Sequence, residues 1–333
     1  MYINSFWAYK FSLLLTGCAV CFAAPVLAQI EWRPERNIEV IVGTSAGGAA
    51  DNSARLLQKL LQQMKVGRST VVNKPGGSYS TSFAYLNQHA GDGHYIAISP
   101  INLVTNRIVG AGSLGHLDIT PLAQLISDYH VFSVRTESEI RNGVDLLDRL
   151  RRNPASLSIA ISPTFGGANH FAAGSILKAA GIDVKKLKIV AFASGGESTT
   201  SVLGGHADVL VSATPSVLPM IEAGKMRALG ISSAKRMGGA LAQVPTWIEQ
   251  GANASFSNWR GVIGPRDMSP GQIAFWDATL ARLVQSEDWR GDLERNFQES
   301  AYLNSRDSRQ FLDRQAREMA ALLTDLGLAK NAR

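Results

Sequence analysis

The chain has 333 residues, 45% hydrophobic and 18% charged, which excludes a disordered chain and allows two domains with real cores. The net charge of +6 includes no long basic run and no basic stripe interleaved with aromatics. That argues against nucleic-acid binding and favours encounter with a small anion.

The first 28 residues differ from the rest. Lys10 is their only charged side chain, Phe11 to Ala24 is apolar, and Pro25-Val26-Leu27-Ala28 ends in small residues. This predicts a secretory signal peptide over 1–28, cut after Ala28, and a periplasmic protein. Leu15-Thr16-Gly17-Cys18 resembles a lipobox, but the apolar run before Cys18 is short for a signal core. A membrane anchor over Phe11 to Ala28 would be marginal in length and would contain Pro25. Cys18 and Cys21 both lie in this segment, so a chain beginning after Ala28 has no disulfide, no thiolate nucleophile and no Cys-based metal site.

Ile38, Val40 and Val42 then alternate with Glu39 and Ile41 as a mostly buried strand. Gly43 to Asp51 is a glycine-rich turn, and Leu56, Leu57, Leu60, Leu61 and Met64 follow at helical spacing. A strand entering a helix through such a turn aims free N–H groups and the positive helix end at one point, which suits an anion. Ser69 to Asn73 reads as a second strand, Asn73 to Tyr79 as a turn before a helix, and Tyr95 to Ile98 as a third strand. This alternation predicts parallel strands. Asn102 to Leu122 reads as irregular, and Ala123 to Val134 as one strand leaving the first domain.

Asp145 to Arg151 is helical, and the opening layout then recurs. Leu157 to Ala160 is a strand, Ser162 to Asn169 a glycine-containing turn, and His170 to Ala180 a helix ended by Gly181. Lys188 to Phe192, Val209 to Val211, Ala228 to Ile231 and Trp259 to Ile263 are further strands, with helices at Ser198 to Leu203 and Val217 to Ala223. The end is helical, with Ser305 as N-cap of the last helix and Asp307 in its first turn.

Together, in this order, several stretches resemble the substrate-binding proteins of tripartite tricarboxylate transporters, the Bug or TctC type. They are Gly47 to Asp51, Asn73 to Gly77, Asp92 to Tyr95, Gly166 to Phe171, Leu203 to Asp208, Ala223 to Leu229, Val244 to Thr246 and Trp259 to Gly261. The resemblance implies an α/β protein of the type II periplasmic-binding-protein fold, with two α/β domains joined by two crossover strands around an interdomain ligand cleft. The expected domains are 29–131 plus 255–333, and 132–254. The two glycine turns would act as fingers on a carboxylate. Matched here, they are Ser45, Ala46, Gly47, Gly48 and Asp51 on one side, and Ser162, Thr164, Gly166, Gly167, Asn169 and His170 on the other. Ala46 departs from the family's usual Pro.

The residues themselves favour binding over chemistry. The first turn lacks G-x-G-x-x-G and has no Gly-Lys-Ser/Thr, so neither a dinucleotide nor a Walker A reading holds. Asp51 either satisfies its helix N-terminus or meets a donor group on a ligand. His170 either caps its helix or faces the cleft. Ser45, Ser99, Ser162 and Thr214 each end a strand, where a hydroxyl can donate to a carboxylate, and none sits in a G-x-S-x-G elbow. The six histidines are not at metal-ligand spacing, so neither metal nor cofactor is expected. Arg260 is the sharpest charged candidate, since a guanidinium grips a carboxylate with two prongs; the alternative is an interdomain salt bridge. As a ligand-facing cation, Arg260 should be replaceable by Ala at little cost to the fold. The expectation is a non-enzymatic monomer that captures a di- or tricarboxylate, such as a citrate-like acid, and delivers it to membrane subunits of a tripartite tricarboxylate transporter. The alternative is a receptor presenting its closed form to a membrane sensor kinase.

Overall fold

Ile38, Val40 and Val42 point to one side of the first strand and Ile41 to the other, and all four are fully buried. Burial on both faces requires helices above and below, as around a central parallel strand. The computed structural model describes residues 32–47, 49–162 and 165–330, so the expected signal segment with Cys18 and Cys21, and the site candidates Gly48 and Thr164, lie outside the described residues. In it β1 (Ile38–Val42) packs one face with Ala54, Leu57 and Leu61 of α1 (Ala49–Gln63). Ile41 on the other face joins Phe83 and Leu86 of α2 (Ser80–Asn87).

The chain continues as β2 (Ser69–Asn73), β3 (Tyr95–Ser99), α3 (Asn102–Val109), β4 (Thr120–Asp128), β5 (His130–Arg135), α4 (Gly143–Arg152), β6 (Ser158–Ile161) and α5 (Ala168–Ala179). Then come β7 (Lys188–Ala191), α6 (Gly195–Leu203), β8 (Val209–Ala213), α7 (Thr214–Glu222) and β9 (Met226–Ile231). The last part holds β10 (Asn258–Gly264), α8 (Pro270–Leu283), α9 (Glu287–Arg295), β11 (Gln298–Leu303) and α10 (Ser305–Asp325).

Two sheets result. The first has the order β11-β4-β10-β3-β1-β2 and the second β7-β6-β8-β5-β9. β1 is parallel to β2 and β3, and β6 to β7 and β8. β10 runs antiparallel between β3 and β4, and β5 antiparallel between β8 and β9. Each sheet therefore has three parallel strands and one antiparallel strand, β10 or β5, that the chain inserts after crossing, with β4 and β11 completing the first sheet and β9 the second. One crossing is at Tyr129, the other lies between β9 and β10. This layout directs the glycine turns after β1 and β6 to the same cleft, because parallel strands present their carboxyl ends on one side.

Four local expectations differ from the structure. The stretch read as one strand over Ala123 to Val134 is two, β4 and β5, broken at Tyr129. α3 forms inside the stretch read as irregular; its weak helix formers are held by packing, by Asn106 Nδ2 donating to Ser78 O at 2.6 Å, and by a left-handed C-cap at Gly110. β11 was unreadable because it is an edge strand with Glu299 exposed beside Ser300, so no apolar alternation marks it. The N-cap of α10 is Asn304, whose side chain accepts from the Asp307 N–H, while Ser305 instead donates both N–H and hydroxyl to Asp277. Among the described residues no helix is long and apolar enough to cross a membrane.

Candidate functional site

The end of β1, the start of α1 and the start of α5 surround a cavity of ≈ 440 Å³. Gly43 and Thr44 line it from the first turn, Ala49 and Ala50 from the head of α1, and Gly167 and Ala168 from the head of α5. Asn258 and Arg260 of β10 also line it, as do Ser78, Tyr79 and Asn102 of the first lobe. Two helices of ordinary length thus open their N-terminal N–H groups onto one space, and α5 has no side-chain cap to occupy them. A larger cavity of ≈ 680 Å³ lies elsewhere, between Lys178 on α5 and Glu318 on α10. It receives no helix N-terminus and no glycine turn, so the smaller cavity is the chemically prepared one.

The two turns are built alike. In the first, Gly47 has φ +87° and donates its N–H to Asp51 Oδ2 at 2.9 Å. In the second, Gly166 has φ +73° and donates its N–H to His170 Nδ1 at 3.0 Å. A side chain in the first turn of each helix thereby holds its own glycine turn. Asp51 is 1% exposed and also accepts from Arg55 Nε at 2.7 Å and from Asn73 Nδ2 at 2.9 Å. The Arg55 bond above all, with those from Gly47 and Asn73, holds its carboxyl at about 2 against the effect of burial. Burial pushes His170 down to about 4. At neutral pH it is uncharged, with Nδ1 free to accept.

β10 supplies one wall. Its pleat sends Trp259 into the core, where Nε1 donates to Gln315 Oε1 at 3.0 Å and the ring meets Phe311 edge-on. Asn258 and Arg260 consequently share the opposite face. Asn258 is paired across the ladder with Asp128, the last residue of β4. That register brings Arg260 Nη2 to 2.7 Å from Asp128 Oδ2, with both side chains 5% exposed or less. The approach lacks hydrogen-bond direction, so Arg260 Nε and Nη2 and Asp128 Oδ1 are buried without hydrogen-bond partners. His130, just past the crossing, is 1% exposed and pushed down to about 4 by burial, with Nδ1 also unpartnered. Arg260 lines the cavity and Asp128 and His130 do not, and four unpaired polar atoms in these three residues are unusual in a native interior, where such groups are nearly always satisfied.

A third wall is strained. Ser78 and Tyr79 have φ +53° and +74°, rare for residues with side chains and frequent at functional sites. Asn102 Nδ2 donates to Ser78 Oγ at 2.8 Å, and the Tyr79 ring lies where a Cβ on Gly43 would come within 2.1 Å of its Cδ1. Burial pushes the Tyr79 hydroxyl up to about 12, so it is neutral.

Of the residues expected from sequence, Gly167 and Arg260 line the cavity. Gly47, Asp51, Gly166 and His170 form the bonds that shape the two turns. Ser45 and Ala46 are exposed in the first turn without lining the cavity; Thr44 does line it, and its buried Oγ1 has no partner. Asn169 Nδ2 donates to Ser162 O at 2.7 Å, which ties the second turn to the end of β6. Ser99 is buried in β3, and Thr214 Oγ1 donates to Tyr129 O at 3.0 Å, bracing the crossing. Thr44, Ser78, Tyr79, Asn102 and Asn258 had no signal of their own, although the Gly76-Gly77 turn marked the loop that carries two of them.

The cavity suits an anionic head held by backbone N–H groups. Arg260 is the only charged side chain among its described lining residues, and no hydroxyl there is paired with a histidine as nucleophile and base would be. No group of three or more metal-ligating side chains occurs among the described residues.

A family profile described as the tripartite tricarboxylate transporter family receptor matches residues 53–328. A Cupriavidus necator protein, "UPF0065 protein in gbd 5'region", is 24% identical over 312 residues, 92% of this chain and 93% of its own length. A TctC solute binding protein from Polaromonas, solved without ligand, superposes with a TM-score of 0.75 at 25% identity, covering 88% of this chain and 99% of that one. An R. palustris protein solved with adipate gives a TM-score of 0.76 at 22% identity, over 89% and 99% of the two chains.

Proposed function

The chain belongs to the tripartite tricarboxylate transporter receptor family, and on that footing we propose that it is a periplasmic receptor for a small organic carboxylate. It takes the ligand between its lobes and delivers it to the membrane subunits of a tripartite tricarboxylate transporter. The observation that carries this reading is the pair of matched turns, Gly47 held by Asp51 and Gly166 held by His170, opening two helix N-termini onto one cavity. The carboxylate lies between Thr44, Ala49 and Ala50 on one side and Gly167 and Ala168 on the other. Two helix ends favour a negative charge, each by about 0.3–1 kcal/mol where exposed and more where buried.

Residues 29–131 with 255–333 are proposed as one domain and 132–254 as the other, and they close on the ligand by bending at the crossings. Closure draws its energy from contacts made only in the closed form. The protein acts as a monomer, without metal or cofactor, and does not turn its ligand over. Calorimetry with C4–C8 mono- and dicarboxylates tests the reading. Saturable 1:1 binding of at least one acid, with the acid recovered unchanged, supports it; no heat from any acid at millimolar concentration overturns it.

A further inference from the structure

The seam between α5 and α10 is built like a core. Leu103 and Val104 of α3, Leu322 and Leu323 of α10, and Phe171 and Ile176 of α5 belong to one continuous buried apolar cluster. α3 and α10 lie in the first proposed domain and α5 in the second. Domains meet by default through small polar interfaces that part easily, whereas an apolar one resists parting. The seam is tightest towards the second glycine turn. Gly174 is buried inside α5, and a Cβ there would come within 3.0 Å of Leu326 Cδ2. Glycine weakens a helix interior, and the close approach of Leu326 is what it permits here. Past the end of α10, Leu328 reaches the turn itself: a Cβ on Gly166 would stand 4.0 Å from Leu328 Cδ1 and 3.9 Å from Val109 Cγ1 of α3. The tail is fixed to the first lobe at both ends. Leu328 N–H donates to Leu323 O at 2.8 Å, and Lys330 N–H to Ile108 O at 3.0 Å. Towards the crossings the same seam is hollow, because the cavity of ≈ 680 Å³ lies there, lined also by Tyr129 and Phe256.

We propose that the C-terminal segment Leu326–Lys330 is a latch, anchored on α3 of the first lobe and seated on α5 of the second, that holds the lobes closed before any ligand arrives. This inference rests on the proposed closure of two lobes, and not on the identity of the ligand. If the lobes part by bending at the crossings, the second turn must lift away from the first lobe, and Gly166 then leaves Leu328 and Val109. The apolar contacts at Leu326 and Leu328 are lost in that step, so they weight the equilibrium towards the closed form. A protein that is already mostly closed binds with an affinity near that of its closed form, since little of the binding energy goes into closing it. The tail thus acts on the ligand site without touching the ligand, by fixing where the second turn stands.

Double electron–electron resonance on the ligand-free full chain tests the latch. Spin labels go on Asn52→Cys in α1 and Thr200→Cys in α6, which are exposed and in opposite lobes, with Cys18→Ser and Cys21→Ser removing the natural thiols. With the tail intact, one narrow distance is expected. Leu328→Ala should raise the open population at least about threefold, seen as a second, longer distance, with circular dichroism unchanged. Leu326→Ala should do the same by emptying the notch at Gly174. Lys178→Ala, which breaks an exposed ion pair with Asp325 on the same seam, should leave the distance as it is. Leu328 lies beyond the last helix and is only half-buried, so Leu328→Ala decides even if Leu326→Ala does not fold. A broad distribution with the tail intact overturns the latch, as does one that Leu328→Ala leaves unchanged or that Lys178→Ala shifts equally. Each of these outcomes leaves the receptor function standing, because calorimetry with carboxylates tests that separately.

Discussion

Gly166 donates its N–H to Nδ1 of His170 at 3.0 Å, and the same four-residue bond joins Gly47 to Asp51 in the other lobe. The two latches share a geometry but not a chemistry. One acceptor is a carboxylate held at about 2, the other an imidazole pushed down to about 4. They therefore fail at different pH.

Stability should fall on mild acidification. His130 and His170 each sit at about 4 when folded, below the usual 6.5. The unfolded chain thus takes up protons first as pH drops, and stability is lost between about pH 6.5 and 4 at up to about 1.4 kcal/mol per pH unit for each histidine. Asp51, lowered rather than raised, keeps its contribution until pH falls below about 4, towards 2. Urea unfolding at pH 7.5, 6 and 5 checks this. His170→Gln should show a shallower decline, and a flat profile in the wild-type protein would contradict the assignment.

Asp51→Ala should destabilise the fold by about 2–3 kcal/mol, as expected for losing hydrogen bonds to a buried charge. It frees the Gly47 N–H and leaves the Asn73 amide only its bond to Thr44 O. Ligand affinity should fall as well, because the first turn loses its latch. Denaturation and calorimetry on one preparation separate the two effects; wild-type stability would show that solvent replaces the carboxylate.

Arg260→Ala should be costly, contrary to what its sequence position suggests. It strands the Asp128 carboxylate in a site that is 4% exposed, and breaking a buried pair costs about 3–5 kcal/mol. Removing both partners in Arg260→Met/Asp128→Leu should recover most of that loss, but not binding. Thermal unfolding of the single and double variants reads the difference.

Gly43→Ala should disturb Tyr79, since the new Cβ would stand 2.1 Å from the ring at Cδ1 and 2.6 Å from Ser82 Oγ. Overpacking of this kind costs about 1–3 kcal/mol. The penalty should shrink in a Tyr79→Ala background, where the ring is gone. Equal penalties in both backgrounds would show that the ring is not what Gly43 accommodates.

The glycine turns, the strands entering them and the two-lobe α/β class were legible because each is local. β1 declares itself by Ile38, Val40 and Val42, and the turn by Gly47 before a run of leucines at helical spacing. Arg260 was legible as a residue but not as a charge. Its partner Asp128 becomes a neighbour only through the antiparallel register that sets Asn258 opposite Asp128, and no local pattern encodes that pairing. Ser78 and Tyr79 were hidden for a related reason. Their importance comes from a backbone in a rare conformation and from a ring seated on Gly43, both consequences of tertiary packing. Asp51 and His170 turned out to hold the turns rather than to stand free in the cleft.

The strand exchange between the sheets also governs the order of assembly. β10 lies in the middle of the first sheet, between β3 and β4, yet follows the whole second lobe in sequence. Until Asn258–Gly264 has been made, β3 and β4 have no shared neighbour, and the first sheet has an open seam where its central strand belongs. The second sheet has no such delay, since β5 precedes its partners β8 and β9. The nascent chain should therefore acquire a folded second lobe while the first, although begun earlier, still waits for a contact of very long sequence separation, the kind that slows folding most.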